Sequence, residues 1–120
     1  MSIQLQMEQR SGYLAARFAG VAVPGEVLQK IELIAEQCKR TNNDKLLIDF
    51  TAIRTQFSIM DKYNFGEKSR NFARHNIKVA AIVTREQSDP QKFGELVALN
   101  RGANLRGFTG VQAAEEWLLT

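Results

Sequence analysis

Three polar positions combine reactive chemistry with a telling place in the sequence. Ser58 and Asp61 have S-x-x-D spacing, in which the hydroxyl and the carboxylate each satisfy an otherwise free backbone N–H at a helix N-terminus. The same N–H groups and the helix dipole favour a phosphate, so Ser58 is both a structural cap and a candidate phosphosite or anion position. Asp49 follows Leu46-Leu47-Ile48, at the predicted carboxyl end of a central strand, where open α/β sheets place ligand crevices. Thr51, Arg54, Thr55 and Gln56 come next, and Asp49, Thr51, Arg54, Thr55 and Ser58 form the candidate binding rim. The competing reading of Asp49 is hydrogen bonding to N–H groups of the adjoining loop. Arg101, between Asn100 and Gly102, suits an anion contact or a cation complementing a helix C-terminus.

Catalysis would need partners that the sequence does not supply. One cysteine, Cys38, excludes an intramolecular disulfide, and its helical spacing with apolar neighbours predicts a buried thiol. One histidine, His75, leaves too little for a His-rich metal site or a Cys–His nucleophile. Glu115 and Glu116 are adjacent, so they do not face each other on a helix and read as surface charges. No phosphate-binding glycine loop, nucleophile elbow or H-E-x-x-H helix is present. The expectation is a protein that is not an enzyme and that takes no metal and no cofactor. Lys62, Lys68, Arg70, Arg74 and Lys78 predict a locally positive surface. Net charge is only +3, and Tyr63, Phe65 and Phe72 read as core-facing, so nucleic-acid binding is disfavoured.

Elements to position these residues follow from periodicity. Ile3, Leu5 and Met7, then Leu14, Ala16 and Phe18, alternate as in half-buried strands around Ser11-Gly12, which predicts an antiparallel hairpin. Pro24 opens a helix whose apolar stripe is Val27, Ile31, Ile34 and Cys38, ended by Asn42-Asn43-Asp44. A strand over 45–50 and a loop over 51–57 precede a helix from Ser58 to Asn76, with Ile59, Tyr63, Phe65, Gly66, Phe72 and Ala73 on its inner side. Val79–Val83 is a buried strand, and Asp89-Pro90 caps a helix containing Phe93, Leu96 and Val97 that ends at Gly102. Leu105–Phe108 is a short strand, and Thr109 with Gln112 has capping-box spacing ahead of a last helix. The order β-β-α-β-α-β-α-β-α predicts an α/β fold with a mixed, mostly parallel five-stranded sheet and about four helices. With 120 residues and no visible linker, residues 1–120 read as one domain. The apolar runs are too short to cross a bilayer and the start does not look like a secretory signal, which points to the cytoplasm.

Taken with Leu46-Leu47-Ile48-Asp49-Phe50-Thr51, the helix opening at Ser58, Val97-Ala98-Leu99-Asn100-Arg101-Gly102, Arg106-Gly107-Phe108, and Ala114 with Trp117-Leu118, this order resembles the SpoIIAA-like group of the STAS superfamily. That group comprises anti-sigma-factor antagonists, with CRAL-TRIO lipid carriers among its structural relatives. In its phosphoswitch members a strand ending in Asp leads to a segment like D-S-S-G-L, whose serine is phosphorylated; the resemblance puts Ser58, in Phe57-Ser58-Ile59-Met60-Asp61, in that place. It implies a non-enzymatic regulatory or protein-interaction module with a protein partner. The alternative is a carrier or sensor of a small apolar or lipid-like ligand held between the sheet and the Ser58 helix. A C2 homodimer stays open, with no interface indicated.

Overall fold

The computed structural model describes residues 3–87 and 93–120. Strands β1 (Gln4–Arg10) and β2 (Tyr13–Gly20) form the expected hairpin, with Gln4 opposite Ala19 and Arg10 opposite Tyr13. Its two-residue turn places Gly12 at φ +88°, a conformation that costs a residue without Cβ little. Helix α1 (Pro24–Arg40) follows, then β3 (Lys45–Ile53), α2 (Ile59–Lys68), α3 (Arg70–Arg74), β4 (Lys78–Ile82), α4 (Phe93–Asn100), β5 (Asn104–Phe108) and α5 (Val111–Leu118). The sheet order is β1-β2-β3-β4-β5, antiparallel at the first pair and parallel at the other three. The fold class is therefore as the periodicity predicts.

Alternation in β3 divides the core between the two faces of the sheet. Leu46 and Ile48 join Leu14, Ala16 and Phe18 beneath α1, where Val27, Ile31, Ile34, Ala35 and Cys38 are buried. Leu47 joins Tyr13, Ala80 and Ile82 beneath α5, which contributes Ala114 and Leu118. Leu5 packs partly against the first cluster, whereas Met7 is 40 % exposed, because the hairpin outruns its helical cover. Asn42, at φ 59°, ends α1 as expected, and Asn76, at φ 53°, closes α3.

Four expectations are corrected. Strand β3 continues through Ile53 rather than stopping at Phe50, because Ala52 and Ile53 pair with Ala19 and Gly20 beyond a register shift between Arg17 and Ala19. The Ser58 helix is interrupted at Ser69, which is buried: its Oγ donates to the Phe65 carbonyl at 3.0 Å, its N–H is shared between the Phe65 and Gly66 carbonyls, and its own carbonyl is shared between the Phe72 and Ala73 N–H groups. Ile59, assigned to the inner side of that helix, is 70 % exposed, since the first turn of α2 overhangs the sheet. The last helix has Gly110, not Thr109, at its N-cap and no side-chain cap, so the Thr109/Gln112 spacing is one residue out of phase. The expected Asp89-Pro90 cap lies outside the described residues.

Candidate functional site

The rim residues do not converge on one crevice. Asp49 lies within β3, opposite Arg17 and Ile82, rather than at its end. By alternation with Leu47 and Ile48 it points to the α5 side of the sheet. Its Oδ1 accepts from the Thr51 N–H at 2.9 Å and from the Thr51 hydroxyl at 2.6 Å, which engages both residues locally at the irregular end of the strand. Thr55 acts elsewhere: its hydroxyl accepts from the Ala22 N–H at 2.7 Å and donates to the Ala22 carbonyl at 2.9 Å. With the Arg54 N–H donating to the Gly20 carbonyl at 3.0 Å, this ties the β2–α1 loop to the β3–α2 loop. The Arg54 side chain is exposed.

Ser58 is exposed and forms the full capping box read from the sequence. Its Oγ accepts from the Asp61 N–H at 3.1 Å, and its own N–H donates to Asp61 Oδ2 at 2.8 Å. A phosphate on Ser58 would compete with the Asp61 carboxylate for the same donors and meet its negative charge at close range. Exposed apolar side chains follow this cap, Ile59 (70 %) and Met60 (64 %) on the first turn of α2, and two more, Val21 (63 %) and Val23 (63 %), stand on the β2–α1 loop that Thr55 ties to the β3–α2 loop. This apolar rim went unpredicted, because Ile59 fits the inner stripe of a longer helix and isolated valines in a loop carry no periodic signal.

Arg101 reaches back from the turn after α4 to α2. It pairs with Glu67, donates through Nε to Glu67 Oε1 at 2.6 Å and through Nη2 to the Tyr63 hydroxyl at 3.2 Å. Glu67 also lies 3.6 Å from Arg70. The hydrogen bond from Arg101 holds the Glu67 carboxyl below its usual range, and the same bond raises the Arg101 guanidinium. Arg101 is thus occupied by a side chain of the protein itself, and it fastens α4 to α2. The predicted positive surface is also reduced: Lys68 pairs with Glu32, and Lys78 donates to the Trp117 carbonyl at 2.6 Å while lying 4.4 Å from that ring's centre. Glu115, expected to be a plain surface charge, accepts from the Tyr13 hydroxyl at 2.7 Å.

Helices α2 and α4 cover a cavity of about 470 Å³ over β3, β4 and β5, on the face opposite Asp49. Its floor includes Ile48, Ala81 and Gly107, which stand in one row across three paired strands. Ala81 and Gly107 leave that row without bulk, while Phe50, Phe57, Phe65 and Leu105 form apolar walls. Gln87 shapes the rim: its Nε2 donates to the Phe50 and Ile53 carbonyls at 2.8 and 3.3 Å, and it caps Thr84 reciprocally. Thr84 and Gln87 have T-x-x-Q spacing, the signal by which this loop could have been read. Among the described residues no group of three or more His, Cys, Asp or Glu is placed to hold a metal ion, and no helix is long and apolar enough to cross a membrane.

No protein-family model and no curated protein matches the chain. Its fold recurs in solved structures. An anti-sigma factor antagonist from Mycobacterium paratuberculosis superposes with a TM-score of 0.67 at 13% identity, over 99% of this chain and 96% of that one. An uncharacterised Shewanella loihica protein with a SpoIIAA-like fold gives a TM-score of 0.55 at 20% identity, over 98% and 93%. The architecture is SpoIIAA-like.

Proposed function

We propose that the chain is a cytoplasmic, non-catalytic regulatory module that works by binding another protein, a reading in keeping with a protein of the same fold that is named an anti-sigma factor antagonist. The observation that carries this reading is the apolar rim of Val21, Val23, Ile59 and Met60. Four large apolar side chains on two tied loops and a helix start cost the free protein solubility, and their burial against a partner would recover it. The polar groups beside them, Arg54 and Ser58, supply the rim of such an interface. Affinity purification from the native cell should recover a partner with the wild-type chain and lose it with the double variant Ile59→Glu/Met60→Glu, while Leu33→Glu, on the exposed side of α1, retains it. Equal recovery by all three would reject this surface, and no partner with the wild type would reject the module.

The cavity favours a second reading, a carrier or sensor of a small apolar ligand. Its volume falls in the range that encloses small organic molecules, and its floor and walls are mainly apolar.

A further inference from the structure

The wall of the cavity also carries charge, and its distribution restricts the ligand. Gln87 is committed to the carbonyls of Phe50 and Ile53, and Ser69 to that of Phe65. The charged residues on the described wall are Lys62 and Glu95. Lys62 is half-buried on α2, and no carboxylate lies within ion-pairing distance of it among the described residues. Its basic neighbours are otherwise engaged or outside: Lys68 with Glu32, Arg70 with Glu67, and Arg74 exposed and absent from the cavity wall. Glu95 lies against β5, with Oε2 3.7 Å from where a Cβ on Gly107 would stand. An ammonium at the edge of an apolar chamber gains most from a ligand that brings one negative charge on an apolar body.

We propose that the cavity binds a monomeric straight-chain carboxylate. The chain lies along Phe50, Ile48 and Ala81, and the carboxylate meets the Lys62 ammonium, away from Glu95. The proposal rests on the apolar-ligand reading and adds to it the head group and its partner. Small residues at Ala81 and Gly107 make the room, and Lys62 sets the direction in which the ligand enters.

Titration calorimetry of the whole chain at neutral pH with sodium decanoate and with 1-decanol separates the two levels. The wild type should bind decanoate about tenfold or more tightly than decanol, the span expected of a hydrogen bond to a charged group. Lys62→Met, which keeps the length of the side chain, should bind decanol as before and lose the preference for decanoate. Ala81→Leu, which fills the floor, should weaken both ligands. Decanol bound as tightly as decanoate by the wild type, or a preference that survives Lys62→Met, would overturn the carboxylate and leave the apolar cavity standing. Neither ligand bound by the wild type would overturn the apolar-ligand reading itself. Binding undiminished in Ala81→Leu would place the ligand outside the cavity and overturn the proposal. Circular dichroism of each variant confirms that it is folded before binding is compared.

Discussion

Ser58 and Cys38 show what a single side chain does when its chemistry is shared with the backbone or removed from water. The Ser58 hydroxyl accepts one of the free N–H groups of α2, and Asp61 returns the favour to the Ser58 N–H. Ser58→Ala should lower the unfolding free energy by about 1 kcal/mol, measured by urea denaturation. Ser58→Asp restores an acceptor and should recover most of that loss; if it does not, the hydroxyl has a role beyond capping. Cys38 is fully buried under α1, and burial pushes its thiol up to about 11. Since the thiolate is the reactive form, a disulfide reagent at pH 8 should modify native Cys38 far more slowly than the thiol of the urea-unfolded chain. Rapid modification of the native protein would contradict that burial. Both features were legible in the sequence, because a capping box and a helical stripe involve residues three or four apart. The engagement of Arg101 was not: Glu67 and Tyr63 are distant in sequence, and only the packing of α4 on α2 brings them within reach.

Elements joined by that contact should separate together in acid. The Glu67 carboxyl titrates below its ordinary value in the folded chain, chiefly because Arg101 donates to it. Its contribution to stability is present above the unfolded-state value of about 4.3 and is lost as pH falls through the lowered folded value. Glu67→Gln should therefore melt at a lower temperature than wild type at pH 7, with the two melting curves converging at the acid end of that window. A constant offset across the pH range would show that Glu67 stabilises by packing rather than by charge. Because the pair is partly exposed, salt should reduce the difference at neutral pH. Element types and order were legible from periodicity throughout, but ends were less so. Strand β3 gains residues 51–53 from pairing with β2, and α2 ends at Ser69 through a side-chain bond to Phe65, and neither effect has a period to read.

Across the whole molecule the sheet separates two sets of groups that are close in sequence. Asp49 points to the α5 side, whereas its neighbours Ile48 and Phe50 form the cavity wall on the other, so adjacent residues of one strand serve opposite faces. The cavity itself depends on Ala81 and Gly107 falling in register with Ile48, a coincidence of three strands that no local pattern displays. Helix α2 belongs to both functional readings: Ile59 and Met60 on its first turn face solvent, while Phe65, Gly66 and Ser69 line the cavity. The rim is apolar, with Arg54 beside it as the exposed charge of the tied loops. If burial of Val21, Val23, Ile59 and Met60 supplies the affinity for a partner, that affinity should resist screening. Between about 0.1 M and 1 M salt the Debye length falls from about 10 Å to about 3 Å, which suppresses long-range charge attraction but not apolar burial. Surface plasmon resonance with the recovered partner should show a Kd that changes little over that range and an Arg54→Ala variant close to wild type. A Kd that rises steeply with salt, together with a large loss in Arg54→Ala, would transfer the interface from the apolar side chains to the charged loop.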